Sequence, residues 1–186
     1  MITIQPLARV DSADLERIVT PYISEGAYVV RYRDSPTATS FELHYVLLPE
    51  PSTRKYEHFD AATLQRYSQI LHAGFSFGAY EGELLMGLII AEAQEWNRTL
   101  SVWEFHVAPT YRRRGIGRQL MAQTEEQARR SGLRAIVCET QNANAAAIMV
   151  YRKLGFAIEG IDISLYSNRD YPDGDIAVFM KRRLLE

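Results

Sequence analysis

"APTYRRRGIGRQLM", Ala108 to Met121, sets three arginines against Gly-Ile-Gly and runs straight into a helical pattern. The stretch before it, "LSVWEFHVAP", alternates like a strand. Trp103, Phe105 and Val107 are expected on one face, and Val102, Glu104 and His106 on the other. After the turn, Ile116, Leu120, Met121, Thr124 and Ala128 fall on one side of a helix expected to reach Ser131. Arg129 and Arg130 lie near its C-terminus, and Gly132 follows as a cap. The first turn of a helix carries four backbone N–H groups without partners and roughly half a positive charge. Gly115 and Gly117 keep side chains away from those amides, and arginine forks match phosphate oxygens. Strand, basic glycine turn and helix therefore predict a diphosphate cradle. No Lys-Ser/Thr follows the glycines and the spacing is not G-x-G-x-x-G, so neither common nucleotide loop applies. A plain basic surface turn would use the same residue types, and the turn alone leaves its purpose open.

The bulk of the chain narrows the choice. With 186 residues, 47% of them hydrophobic, it is expected to form a single domain over residues 1–186 with a substantial core. One cluster of three arginines in a chain of net charge -2 is no basic stripe, so no nucleic-acid partner is expected. "MITIQPLARVD" lacks the basic start and apolar run of a signal peptide. The run "LLMGLIIA" is too short to span a bilayer. The reading is a cytoplasmic protein without a membrane partner. Cys138 is the sole cysteine, which excludes an intrachain disulfide and a Cys-rich zinc site, and no metal is expected.

Along the chain, "ITIQPLA" reads as a strand, and "DSADLERIVTPY" as a helix capped at Asp11 or Ser12. Residues 24–58 carry little signal. "SFELHYVLL" looks strand-like, between "RDSPTATS" and "PEPSTRKYEH", which have loop composition. "FDAATLQRYSQILHAG" predicts a helix capped at Asp60, with Leu64, Tyr67 and Leu71 on one face and Gly74 closing it. "FSFGAYEGELLMGLIIAEAQ" predicts a hairpin around "YEGE". "RAIVCET" is a buried strand and "NAAAIMVYRKLGF" a helix ending at Gly155. "AIEGIDISLYS" and "DIAVFMKRRL" are two further strands around the loop "NRDYPDGD". Helices alternate with strands in the middle and strands pair elsewhere, so the class is mixed α/β.

"CETQNANAAAIMVYRKLGF" adds a second constellation, with Asn144 and Tyr151 seven residues apart, roughly 10 Å along a helix axis. Together with "VAPTYRRRGIGRQLM", these residues resemble the GCN5-related N-acetyltransferases (GNAT), over roughly Phe75 to Gly160. The resemblance implies a mostly antiparallel central sheet flanked by helices, and acetyl-CoA as co-substrate. It implies a cofactor-binding core at about 75–160 and an acceptor site drawing on 24–60 and 160–176. The backbone of Phe105, His106 and Val107 would hold the pantetheine arm. Arg113, Arg114, Gly115, Ile116, Gly117 and Arg118 would contact the pyrophosphate, with Arg112 in the first position of the family's R/Q-x-x-G-x-G/A pattern. Asn144 matches the asparagine that contacts the cofactor. Tyr151 matches the tyrosine that protonates the departing thiolate, and its ring packed in the core is the plainer alternative. For the base, Glu139 ranks first, at the end of its strand, and Glu104 second. His106 would suit proton transfer by its ordinary pKa, but a structural role is favoured for it, and Cys138 reads as core.

Within the family, "EWN", "ETQ", "GFAIEGIDISLYS" and "DIAVF" look like the streptothricin acetyltransferases, which acetylate a basic amino group of a cationic antibiotic. Glu104, Glu139, Asp162 and Asp175 would suit a polycationic small-molecule amine. Where the family pattern has Cys and Phe, this chain has "AAAIMVY", as close to the protein N-terminal acetyltransferases. Three functions follow. One is an N-acetyltransferase for a small amine, with antibiotic resistance as its consequence. The others are an acetyltransferase for a protein N-terminus or lysine, and a non-catalytic acyl-CoA-binding module, which would need no Tyr151. A homodimer is expected as a family habit.

Overall fold

A computed structural model describes residues 2–55 and 59–184. In chain order the elements are β1 (Ile2–Pro6), α1 (Ser12–Ile18), β2 (Tyr22–Ser35), β3 (Ala38–Arg54), α2 (Ala61–Leu71), β4 (Phe77–Glu81) and β5 (Leu84–Gln94). There follow β6 (Thr99–Val107), a 3-10 turn (Pro109–Tyr111), α3 (Ile116–Arg130), β7 (Ala135–Gln141), α4 (Ala145–Lys153), β8 (Ala157–Asp162) and β9 (Ala177–Arg183). The class is mixed α/β with mostly antiparallel strands flanked by helices, as the sequence indicates. The chain divides into two compact units. One comprises Met1–Thr20, Lys55–Cys138 and Arg182–Glu186, and the other Pro21–Arg54 and Glu139–Lys181. No helix among the described residues is long and apolar enough to cross a membrane.

In the first unit β1, β4, β5 and β6 pair antiparallel in that order, and β7 joins β6 in parallel. Both predicted N-caps are in place: the Asp11 carboxylate accepts from Asp14 N–H, and that of Asp60 from Thr63 N–H. Leu15 and Ile18 of α1 and Tyr67, Ile70 and Leu71 of α2 close over Leu85, Leu88 and Ile90 of β5 in one buried cluster. Full burial of such a side chain contributes about 2 kcal/mol. α3 packs on β4, β5 and β6, and its buried face is the predicted set of Ile116, Leu120, Met121, Thr124 and Ala128.

The alternation expected along β6 fails at Trp103. Ile90 pairs with Glu104 and Ala91 with Val102, which leaves Trp103 as the extra residue of a β-bulge. The bulge takes its ring from the Phe105 face to the side of α2. There Trp103 Nε1 donates to Glu92 at 2.9 Å, and the Arg66 guanidinium lies 3.8 Å from the ring centroid. Glu104 and His106 share a face as expected.

The second unit corrects the reading of residues 24–58, which form two long strands. The β2–β3 ladder runs from Tyr22↔Arg54 to Ser35↔Ala38, so "RDSPTATS" is strand on both sides of a tight turn at Pro36-Thr37. Ser35 Oγ closes that turn, donating to Ala38 O at 2.9 Å and accepting from Ala38 N–H at 3.0 Å. Main-chain bonds hold the hairpin, and the side chains of β3 are largely exposed, so its sequence shows no clean alternation. Loop character survives at "PEP". Ser24 pairs with Ser52 and Gly26 with Leu47, so Leu48–Pro51 loop out of the ladder where two prolines cannot donate to it. The last three residues of "PEPSTRKYEH", 56–58, lie outside the described residues.

Asn142 ties this unit together. It exchanges backbone bonds with Tyr28 and Ile176, while its side chain donates to Tyr28 O and accepts from Ile176 N–H, both at 2.8 Å. α4 packs on β2. Strand β8 stops at Asp162, short of the predicted Ser167, because the Asp162 carboxylate captures the N–H and hydroxyl of Ser164 in a local turn.

Candidate functional site

In the first unit the arginine–glycine turn is a rigid hook. Arg113 and Gly115 both adopt left-handed backbone, with φ +62° and +80°. At Arg113 that conformation costs about 1–2 kcal/mol. Gly115 is the N-cap of α3, with no side-chain capping bond and nothing within 4 Å of where a Cβ would stand. The first turn of α3 therefore carries no side-chain cap. Ile116 turns its side chain into the core, so only its backbone belongs to the turn. At Gly117 a Cβ would lie 3.2 Å from Phe105 Cζ, so the glycine also lets α3 pack against β6.

The arginines divide the work. Arg112 folds back, its Nε donating to Val107 O at 3.0 Å and its Nη2 to Thr20 Oγ1 at 2.8 Å, and so braces the turn. Arg114 lies over the Tyr111 ring at 4.9 Å. Arg113 and Arg118 are exposed and make no hydrogen bond or ion pair with other described residues, which leaves their donors for an anion. Strand β6 pairs with β7 only from Thr99↔Ala135 to Val102↔Cys138. Phe105, His106 and Val107 pair with Ile89, Leu88 and Gly87 of β5.

On the α2 side of β6, Glu104 sits between two partners. Tyr67 of α2 donates its hydroxyl to Oε1, and the His106 ring nitrogen Nε2 lies 2.7 Å from Oε2. The side chains of Glu104 and His106 are each 13% exposed. Burial, then the charge of Glu104, pushes the Tyr67 phenol far above its ordinary pKa, so its hydroxyl stays a donor. Tyr67 reads from the sequence only as part of a helix face. The one available signal was that a buried tyrosine hydroxyl needs a partner.

In the second unit, Glu139 accepts a hydrogen bond from the Tyr166 hydroxyl. Glu139 is an exposed residue, yet protein crowded around its carboxyl raises its pKa above the usual carboxylate range, while the Tyr166 bond pulls it down. No pattern in "DISLYS" announces Tyr166. Asn144 stands at the N-cap of α4 rather than inside it, its side-chain oxygen accepting from Ala147 N–H at 3.1 Å. Tyr151 lies in the last turns of α4, its ring 5.6 Å from that of Phe156. Cys138, in the first unit, is buried as expected.

A family model described as the acetyltransferase (GNAT) family matches residues 41–156. The streptothricin acetyltransferase of Streptomyces lavendulae is 38% identical over 96 residues, 52% of this chain and 50% of that protein. That of Escherichia coli is 30% identical over 103 residues, 55% and 59% of the two chains. The match thus spans half to three-fifths of the length of these relatives. The crystal structure of nourseothricin acetyltransferase superposes with a TM-score of 0.73 over 98% of both chains at 26% identity. A Bacillus anthracis protein (strain Ames) assigned as a streptothricin acetyltransferase, solved with acetyl coenzyme A, has the same fold. Its TM-score is 0.75, at 22% identity, over 98% of this chain and 99% of that one.

Proposed function

The chain belongs to the acetyltransferase (GNAT) family, and from that premise we propose that it moves the acetyl group of acetyl-CoA to a primary amine by direct attack. The observation that carries this reading is the first turn of α3, with Gly115 at φ +80°, no side-chain cap, and the exposed Arg113 and Arg118 beside it. The pyrophosphate would lie on the α3 amides, and the pantetheine arm along Phe105, His106 and Val107. Backbone N–H on that strand would polarise the acetyl carbonyl. The amine nitrogen attacks the carbonyl carbon and loses a proton to Glu139 or Glu104. The carbon–sulfur bond breaks, and the thiolate takes a proton from Tyr151. Asn144 would contact the cofactor. The whole chain acts as one acetyltransferase domain, with residues 24–60 and 160–176 shaping the acceptor site.

The acceptor we propose is a small cationic antibiotic amine such as streptothricin. Its support is the likeness to streptothricin acetyltransferases and the fold shared with nourseothricin acetyltransferase over 98% of both chains. The test is calorimetric titration with acetyl-CoA, then thiol release against a panel of amines that includes streptothricin. Gly115→Val forces a β-branched residue into left-handed backbone, and acetyl-CoA binding is expected to weaken about tenfold. Tyr151→Phe is expected to lower kcat about 100-fold with little change in acetyl-CoA affinity. Equal losses in both would make Tyr151 a packing residue. Turnover only on peptides would move the acceptor to protein N-termini or lysines, and binding without any turnover would leave an acyl-CoA-binding module.

A further inference from the structure

We propose that Glu104, rather than Glu139, takes the proton of the acceptor amine, and that Tyr67 of α2 is the positioning residue that fixes it. The proposal rests on the acetyl transfer above and deepens it. Glu104 stands on β6 immediately before Phe105, His106 and Val107, next to the bulge at Trp103. Both of its oxygens are engaged, Oε1 by the Tyr67 hydroxyl and Oε2 by His106 Nε2 at 2.7 Å. A carboxylate oxygen has two lone-pair sites, so each keeps room for an incoming proton. At 13% exposure the carboxylate is sheltered yet reachable.

Tyr67 is the fixed end of this arrangement. Its residue is 5% exposed, and its ring belongs to the cluster of Ile70, Leu71, Leu88 and Ile90. A helix capped at Asp60 and a ring with two torsions leave its hydroxyl one place to point. Arg66, next to Tyr67 on α2, pairs with Glu92 of β5 at 3.8 Å and covers Trp103. His106 is the titratable group on β6 itself. α3 packs from the Phe105 face, and β7 pairs with β6 only as far as Val102. Glu104 takes the proton of the acceptor ammonium and passes it to solvent, and the freed lone pair attacks. The tetrahedral nitrogen then gives its second proton to Glu104 as the carbon–sulfur bond breaks, and that proton replaces the one Tyr151 gives to the thiolate.

Tyr67→Phe keeps the ring and removes the hydroxyl. The expected result is a kcat about tenfold lower near neutral pH. The acid limb of its pH profile moves up, because the carboxylate has lost a donor that favours its charged form. Raising the pH recovers only the part of the loss that the moved limb causes, and acetyl-CoA affinity stays within about twofold. NMR of the His106 ring gives a readout that needs no turnover. Without Tyr67 the carboxylate loses one of its two partners, and the ring resonances of His106 move. An unmoved acid limb together with unmoved His106 ring resonances overturns the positioning role. Glu104→Gln retaining more than about a third of wild-type kcat overturns its role as base. Wild-type protein that acetylates no amine, with the His106 shift intact, removes the proposed reaction and Glu104's role as base with it, and leaves the Tyr67–Glu104 coupling standing.

Discussion

Glu104 and Glu139 each receive a tyrosine hydroxyl, yet the two couples are built differently. Tyr67 comes from a regular, capped helix, and its ring is sealed in the core. Tyr166 comes from the stretch after β8. Its N–H is held by Asp170 at 2.8 Å, Ser167 ties to the same carboxylate, and its residue remains 43% exposed. Glu104 has a second partner in His106 on its own strand. The same pairing thus fixes one carboxylate between an interior ring and a strand, and ties the other to an exposed aromatic. A hydrogen bond positions a group only as firmly as its other end is held.

The sharpest way to break this comparison is to neutralise each carboxylate in turn. Glu104→Gln is expected to lower kcat about 100- to 1000-fold, and Glu139→Gln no more than about threefold, read as thiol release with both substrates saturating. A reversed order would put the proton on Glu139. Removing the hydroxyls comes next: Tyr166→Phe is expected to change kcat by about twofold at most and leave the acid limb where it is, against the tenfold effect of Tyr67→Phe. A moved limb in Tyr166→Phe would make the two couples alike.

The smallest effect concerns stability. Crowding raises the folded-state pKa of Glu139, so folding holds its proton more firmly than the unfolded chain does. That contribution is present below the unfolded pKa and is lost as pH rises through the folded one. Glu139→Gln should therefore match wild type near pH 3 and melt about 1 °C higher near pH 7, the gap kept small by solvent screening at an exposed site. Melting curves at the two pH values check it, and a gap of the opposite sign would place no desolvation at Glu139.

What the sequence shows follows the range of the forces involved. The five-residue face of α3 and the caps at Asp11 and Asp60 are local and could be read directly. So could Glu104 and His106 on one face, two residues apart on a strand. The bulge at Trp103 could not, because it depends on how many residues of β5 lie opposite β6. The β2–β3 hairpin stayed hidden because its ladder is main-chain bonding along exposed side chains. The left-handed turn at Gly115 is a local feature that the glycine itself announces, while Gly117 meets Phe105, a partner fixed only by packing. Tyr67 was visible as a helix face and invisible as the partner of a carboxylate 37 residues on.

The division of the chain has a consequence for its synthesis. The first unit is closed by residues made late: Leu184 N–H donates to Arg134 O at 2.8 Å, Arg129 donates to Leu184 O, and Arg182 meets Glu125 at 2.6 Å. All of the second unit is translated before these residues emerge from the ribosome. Helix α3 must therefore wait, incompletely tied, while the second unit is threaded out. A nascent chain stalled short of Arg182 would carry every arginine and glycine of the turn without the bonds that finish the unit around it.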